Sequence, residues 1–322
     1  MNLGNQDKWY IVLMLFIWLL LSFAILILGA HFLIDGATNL AKRLGVSPLI
    51  IGLTVVAFGT SLPELAVNTQ ASLIHDNDLV IGNIIGSNIA NILLILGLAA
   101  ITREITVRRE TANKHIPIMI GSTLLVVLLA GSTSGGLIRR VSGVIFLGVF
   151  GLFIWYVMRT AKKNLKTSAS KMSLPACISS TLLGLALLIV GGVLAVHMSQ
   201  SIARSFGISE RVIALSIVAI GTSLPELATS VVAAYKRHSD IAIGNIVGSN
   251  IINVLFIFGL SAVIHPIYMN QRAMLDTGFL LLISILLLAC MFVGKKYRLT
   301  KVNGLVFLSI FVIYVASLIR WA

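Results

Sequence analysis

Charged side chains are scarce in this sequence of 322 residues. They make up 11% of it, against roughly 25% in an average soluble domain. Acidic residues are the scarcest, with 11 Asp and Glu in total, whereas hydrophobic residues reach 58%. The mean hydropathy is +1.02, and the apolar runs are too long and too many for one water-soluble core. The composition therefore excludes a soluble globular protein and predicts an all-α protein embedded in the lipid bilayer.

The scarcity of cysteine and the absence of a basic patch or a cleavage site exclude further classes of protein. The two cysteines, Cys177 and Cys290, lie near predicted helix ends, where a small packing residue is the simplest interpretation. The net charge of +13 does not predict nucleic-acid binding, because the basic residues form no patch with interleaved aromatic residues. A small-residue cleavage site does not follow the first apolar run, so we expect that run to be retained as a helix.

The apolar runs predict ten membrane-spanning helices, because each meets the rough requirement of 17–25 residues. With ten spans, 17 of the 24 lysine and arginine residues fall on one side of the membrane and seven on the other. The positive-inside rule then predicts that the richer side is cytoplasmic and that both termini lie outside. The segments run roughly over 9–34, 44–74, 79–102, 116–138, 141–158, 172–203, 212–235, 241–264, 277–294 and 302–319.

An internal duplication divides these spans into two halves. A shift of 162 residues aligns 45–98 with 207–260 without a gap, and 29 of the 54 positions are identical. GTSLPELA occurs in both copies, and GNIIGSNIAN matches GNIVGSNIIN. The copies begin five spans apart, so they enter the membrane in opposite directions. We expect two inverted five-helix repeats, 1–160 and 174–322, joined by a cytoplasmic linker at 161–173. This linker overlaps the longest basic stretch of the sequence, 159–171. Broken helices in spans 2, 3, 7 and 8 would meet at the midplane, as in secondary transporters.

Glu64 and Glu226 are the two acidic residues placed well inside predicted spans. A lone carboxylate at the bilayer centre costs at least about 2.5–3.5 kcal/mol, unless a cation or a proton neutralises it. Pro63 and Pro225 lack an N–H group, so carbonyl oxygens one turn earlier lose their helical partners. In lipid those oxygens need another partner, and a cation is a suitable one.

The following spans carry a matching polar stripe, spaced at every fourth residue so that it lies on one helix face. Its members are Asn83, Ser87 and Asn91 in the first copy and Asn245, Ser249 and Asn253 in the second. The repeated motifs thus offer carboxylate, carbonyl, hydroxyl and amide oxygens, without a thiol or an imidazole. Such a set suits hard cations. Calcium accepts six to eight oxygens in flexible geometry, and sodium can use the same oxygens.

These motifs closely resemble the two alpha-repeats of the sodium/calcium exchanger family, particularly its prokaryotic ten-helix members. The resemblance implies an antiporter that exchanges calcium for several sodium ions by alternating access, with helices one and six sliding across the bundle. It implies transported ions as substrates, no cofactor and no enzymatic activity. We expect a multi-pass protein of the cytoplasmic (inner) membrane that functions as a monomer.

The resemblance also assigns roles to matching residues. Central carboxylates shared by calcium and sodium would be Glu64 and Glu226. The remaining oxygens would come from Thr60, Thr222, Ala57, Ala219, Ser87, Ser249 and Asn91. Asn253, opposite Asn91, is the tenth predicted site residue. Some relatives have aspartate at this position, so the stoichiometry, potassium dependence and proton participation stay open.

Three alternatives remain at this stage. A calcium/proton or potassium-dependent antiporter would use the same two glutamates. A cation channel would need a ring of carboxylates, whereas an inverted pair of single-copy sites suits alternating exposure. An intramembrane enzyme would use Ser61 or Ser223 as a nucleophile, yet neither has a histidine or lysine at a matching depth.

Overall fold

The computed structural model describes residues 5–133, 135–161, 170–206 and 221–321, and these are almost entirely helical. The α-helices are α1 Asn5–Leu44, α2 Pro48–Ile51, α3 Ala57–Thr60, α4 Leu62–Leu73, α5 Asn77–Ala90, α6 Leu96–Thr102, α7 Ile116–Gly131, α8 Arg140–Ala161, α9 Leu174–Ser205, α10 Leu224–Tyr235, α11 Ser239–Ile251, α12 Gly259–Ile264, α13 Gln271–Cys290 and α14 Lys301–Trp321. π-Helical turns cover Gly52–Val56, Asn91–Ile95, Thr111–His115 and Ile252–Phe258.

Two small antiparallel sheets lie between helices. Strand β1 (Ile105–Thr106) pairs with β4 (Arg298–Leu299), and β2 (Leu137–Ile138) pairs with β3 (Ile267–Tyr268). Each pair joins a connection in the first half of the chain to one in the second half. The two predicted halves therefore contact each other through strand pairing as well as through helix packing.

Within the described ranges, eight helices are long and apolar enough to cross a membrane, and the bent pair Pro48–Thr60 and Leu62–Leu73 makes nine. The sequence predicted ten. The tenth predicted span, 212–235, is not in this count because residues 207–220 lie outside the described ranges. The structure describes the second part of that span, which contains α10. The same gap contains Ala219, and residues 162–169 of the basic linker are also not described. The count of ten stays a prediction.

The second span is interrupted where the sequence predicted a break. The chain bends by 47° between α3 and α4. Ser61, at the bend, has φ −83° and ψ 9°, and Pro63 follows in the first turn of α4, where its missing N–H is tolerated. Ser223 has nearly the same backbone angles, φ −88° and ψ 8°, immediately before α10. The two GTSLPE motifs therefore adopt one local conformation.

The third and eighth spans differ from the prediction. Instead of a break, Asn77–Thr102 and Ser239–Ile264 each form one continuous helical segment that is long and apolar enough to cross the membrane. Each contains a π-helical turn that begins at Asn91 or at Ile252. No proline interrupts these segments, so the helix widens locally while its hydrogen-bonded backbone continues. These spans form the centre of the molecule, with 78% and 83% of their apolar windows buried, against 22% for α1.

The two longest helices, α1 and α9, contain 40 and 32 residues and pack along each other. At 1.5 Å per residue both exceed the roughly 30 Å hydrocarbon thickness. Glycines line the contact: a Cβ atom at Gly184 would lie 2.4 Å from the backbone nitrogen of Leu33, and one at Gly36 would lie 2.6 Å from Thr181. The absence of side chains at these positions lets the two backbones approach closely.

Candidate functional site

Glu64 and Glu226 lie in the first turns of α4 and α10, at the two interruptions described above. Both are buried, with 1% and 0% of their surface exposed. Ser223 Oγ donates a hydrogen bond to Glu64 Oε1 at 3.2 Å, and Ser61 Oγ donates one to Glu226 Oε1 at 3.1 Å. Each carboxylate is therefore bound by the serine that precedes the proline in the opposite copy of the motif, and both lie at one interface.

The second oxygen of each carboxylate, Oε2, is buried and has no hydrogen-bond partner among the described residues. Lysine and arginine side chains in these ranges form no ion pair with either glutamate. The first turn of a helix favours a negative charge, but this effect is worth about 1 kcal/mol. It does not compensate for two buried carboxylates, each of which costs several kcal/mol when ionised and unpaired.

The two threonines of the motifs face the polar stripes of the opposite copy. Thr60 Oγ1 donates to Asn245 Oδ1 at 3.0 Å, and Thr222 Oγ1 donates to Asn83 Oδ1 at 3.3 Å. Asn83 also donates to the carbonyl oxygen of Glu64 at 3.3 Å. The asparagines therefore orient the interrupted backbone and hold the threonines beside the carboxylates.

The carbonyl oxygen of Ala57 is another polar group at this interface. It accepts bonds from the backbone N–H of Ser61 at 3.1 Å and from Thr60 Oγ1 at 3.3 Å. Ser249 Oγ donates to it from α11 at 3.5 Å. Ala57, Thr60 and Ser249 thus lie together on the side where Ser61 contacts Glu226.

Ser87 is placed differently from Ser249. Its Oγ donates to the carbonyl of Asn83 at 2.6 Å and accepts a bond from Asn253 Nδ2 at 3.2 Å. Ala219, which the sequence predicted as a second carbonyl ligand, lies outside the described residues. The structure therefore brings together nine of the ten predicted site residues and does not describe the tenth.

Asn91 and Asn253 lie in the π-helical turns that follow α5 and α11, and each bonds to an asparagine of the opposite span. Asn91 Nδ2 donates to Asn250 Oδ1 at 2.9 Å, and Asn253 Nδ2 donates to Asn88 Oδ1 at 3.0 Å. With both amide nitrogens engaged, the Oδ1 atoms of Asn91 and Asn253 are buried and accept no bond from the described residues. Together with the two Oε2 atoms they make four acceptor oxygens that lack a donor. Each of these oxygens is of a type that binds a hard cation.

Sequence reasoning missed several members of this network. The sequence suggested Ser61 and Ser223 only as nucleophiles, whereas they bind the carboxylates across the interface. It did not single out Asn88 and Asn250, although each donates to the other's backbone carbonyl at 3.4 Å. The signal was present, because all four lie in segments that are identical in both copies.

Comparison with known proteins gives a consistent result. The family model described as "Sodium/calcium exchanger protein" matches residues 14–159 and 178–320. The chain is 36% identical over 310 residues to the putative antiporter CaxA of Alkalimonas amylolytica, covering 92% of this chain and 96% of that protein. It is 38% identical over 291 residues to the inner membrane protein YrbG of Escherichia coli (strain K12), covering 83% and 88%. The structure is similar to the sodium-calcium exchanger NCX_Mj soaked with 10 mM Na⁺ and zero Ca²⁺, with a TM-score of 0.84, 29% identity, and 95% and 99% of the two chains covered.

Proposed function

The chain belongs to the sodium/calcium exchanger family, a family of multi-pass membrane cation antiporters and not of enzymes, and from this premise we propose that it exchanges calcium for sodium by alternating access. The observation that carries the proposal is the set of four buried acceptor oxygens without donors, on Glu64, Glu226, Asn91 and Asn253. Two carboxylates balance one calcium ion or two sodium ions. Neutral oxygens from Thr60, Thr222, Ser249 and the Ala57 carbonyl can raise the coordination toward the six to eight that calcium accepts.

We assign Ala219 and Ser87 to the same proposal, as counterparts of Ala57 and Ser249 in the other copy. The reciprocal bonds between each serine and the opposite glutamate support two inverted five-helix halves, 1–160 and 174–322, around one site. So does the pairing of Thr60 with Asn245 and of Thr222 with Asn83. A two-fold arrangement of this kind allows the site to be exposed on either side in turn.

The long helices α1 and α9 are the elements that would slide. They contact each other through glycines and are joined by Ser180 Oγ, which donates to the carbonyl of Phe32 at 2.8 Å. We propose that they move together against α5 and α11 and cover the site from alternate sides. The similarity to an inner membrane protein supports a cytoplasmic membrane location. From the distribution of basic residues we propose that both termini lie outside and the linker at 161–173 inside.

Coupling to protons or potassium is the second candidate, and the neutral side chain of Asn253 is the reason to test it. Calcium uptake by proteoliposomes loaded with sodium should be rapid at equal pH on both sides and without potassium. Omitting the sodium gradient should reduce the uptake to the level of empty liposomes. Uptake driven fully by a pH gradient alone, or only in the presence of potassium, would contradict sodium/calcium exchange.

The serines provide a milder test of the site. Ser61→Ala and Ser223→Ala each remove one bond to a carboxylate, and a hydrogen bond to a charged group contributes about 1.5–3 kcal/mol. Because the carboxylate then rotates away from the ion, we expect the apparent calcium affinity to fall about tenfold in each variant. Ser309→Ala is the control, since its exposed hydroxyl bonds to the carbonyl of Leu305 far along α14. Equal affinities in all three variants would show that the serines do not orient the glutamates.

A further inference from the structure

A second polar site lies away from the buried carboxylates, at the end of the α5–α6 span. It is a cavity of about 510 Å³ lined by Thr102, Arg103, Glu104, Thr106, Arg298 and Lys301. The membrane span Asn77–Thr102 ends beside it, and the span Lys301–Leu318 begins there. The cavity therefore lies where hydrocarbon gives way to headgroups, on the side of the membrane that the distribution of basic residues predicts to be cytoplasmic.

The lining is strongly cationic. Its one carboxylate, on Glu104, already has a partner, because Lys295 Nζ lies 3.4 Å from Glu104 Oε1. Arg103, Arg298 and Lys301 are exposed and form no ion pair with the residues that the structure describes. Three like charges around one cavity repel one another, and an anion between them would relieve that repulsion.

The backbone keeps these cations together. Arg103 follows the last turn of α6, and Arg298 lies in β4, opposite Thr106 of β1. Lys301 begins α14, which approaches α6 so closely that a Cβ atom at Gly304 would lie 2.6 Å from the carbonyl oxygen of Gly97. A ligand held by all three cations would therefore join the span that carries Ser87 and Asn91 to the last helix of the bundle.

The surface beside the cavity is apolar and unpacked. Val302, Leu305 and Val306 lie on one face of the first turns of α14 and are 68%, 57% and 46% exposed. This face continues from the cavity into the hydrocarbon region. An acyl chain fits against it, with the attached phosphate at the level of the cations.

Among the described residues, the corresponding end of the other copy carries a different set of side chains. The 162-residue shift places His265 at the position of Arg103. Leu137, which lies opposite Tyr268 in the second small sheet, corresponds to Arg298, which lies opposite Thr106 in the first. Arg140 begins α8 there as Lys301 begins α14, and it donates a hydrogen bond to the carbonyl oxygen of Ile264 at 3.3 Å. Two of the three cations, Arg103 and Arg298, therefore have no lysine or arginine at the corresponding described positions of the other copy.

We propose that Arg103, Arg298 and Lys301 bind the phosphate of an anionic phospholipid from the adjoining leaflet, with its acyl chain against Val302 and Leu305. The charge of the cavity, its depth at the headgroup level and the exposed apolar face all match this ligand. The site is separate from the transported ions and goes beyond the proposed exchange.

The test measures the binding of phosphatidylglycerol to the detergent-solubilised full chain, with phosphatidylcholine as the neutral lipid. We expect Arg103→Gln/Arg298→Gln to weaken phosphatidylglycerol binding about thirtyfold, on the basis of the usual attraction per basic residue at an anionic surface. Lys301→Gln alone should weaken it about fivefold. The matched control is Arg109→Gln/Lys296→Gln, which removes two exposed charges from the same face outside the cavity.

The proposal predicts that the control double variant binds phosphatidylglycerol within about twofold of the unmodified chain. Equal losses in the two double variants, or equal binding of the neutral lipid, would overturn it. Complete competition by millimolar inorganic phosphate would overturn the lipid assignment in favour of a free anion. Glu64→Gln/Glu226→Gln should keep full lipid binding, so a failure of the exchange mechanism would not resemble a failure of this site.

Discussion

Replacing Glu64 and Glu226 together with glutamine is expected to abolish calcium transport. Glutamine keeps the shape of each side chain and its bond from Ser223 or Ser61, but it removes both negative charges. The described residues place no third acidic group at this site, so a divalent ion then has nothing among them to balance its charge. We expect each single variant to lose at least about a hundredfold in apparent calcium affinity, or about 3 kcal/mol. The measurement is calcium uptake into sodium-loaded proteoliposomes.

Stability distinguishes ion binding from a packing role for these two residues. Without calcium and sodium, the double glutamine variant should be at least as stable as the unmodified chain, because two desolvated charges are gone. Calcium should raise the melting temperature of the unmodified chain and leave that of the variant unchanged. Glu110→Gln is the control, since its exposed carboxylate pairs with Lys114 outside the site. A variant that melts far lower in ion-free buffer would show that the glutamates serve packing instead.

The second large effect is expected at the contact between α1 and α9. In Gly184→Val, a new Cβ would lie 2.4 Å from the nitrogen and 2.7 Å from the Cα of Leu33. These are backbone atoms that cannot rotate away, so the two helices must separate along their length. We expect a loss of about 3 kcal/mol in the free energy of unfolding, at the upper end for overpacked cores. Thermal unfolding in detergent, together with transport by the purified chain, would measure it.

Gly151→Val is the matched control for that substitution. Gly151 lies in the middle of α8 and is exposed, and a Cβ atom added there would have no described atom within 4 Å. We expect this substitution to change stability by less than about 1 kcal/mol, as a helix-compatible change on an open face. Similar melting temperatures for the two valine variants would mean that α1 and α9 do not depend on close contact.

Many residues of the candidate site could be predicted from the sequence, because their types are unusual inside a membrane and because they recur in both copies. Glu64 and Glu226 stood out because ionised carboxylates are expensive inside a membrane, and Pro63 marked the bend because it removes a backbone donor. The family resemblance rested on the same motifs and is confirmed by the family model. Continuity of the third and eighth spans was not foreseen, because a polar stripe alone does not distinguish a break from a π-helical turn.

The sequence could not predict the hydrogen bonds between residues that lie far apart in the chain. Ser61 binds Glu226 across 165 positions, and Asn253 binds Ser87 across 166. Such pairs depend on how the halves face each other, which no local pattern encodes. The same limit applies to Ser249, which reaches the Ala57 carbonyl while Ser87 bonds to its own helix.

By itself, the sequence determined that the protein spans a membrane, that it carries a duplicated motif, and that two carboxylates lie within its apolar spans. Those conclusions follow from transfer free energies, which depend on residue type and run length. Only the tertiary structure decided which oxygens keep a donor and which do not. Hydrogen bonding requires two groups within about 3.5 Å, and packing of the two halves sets those distances.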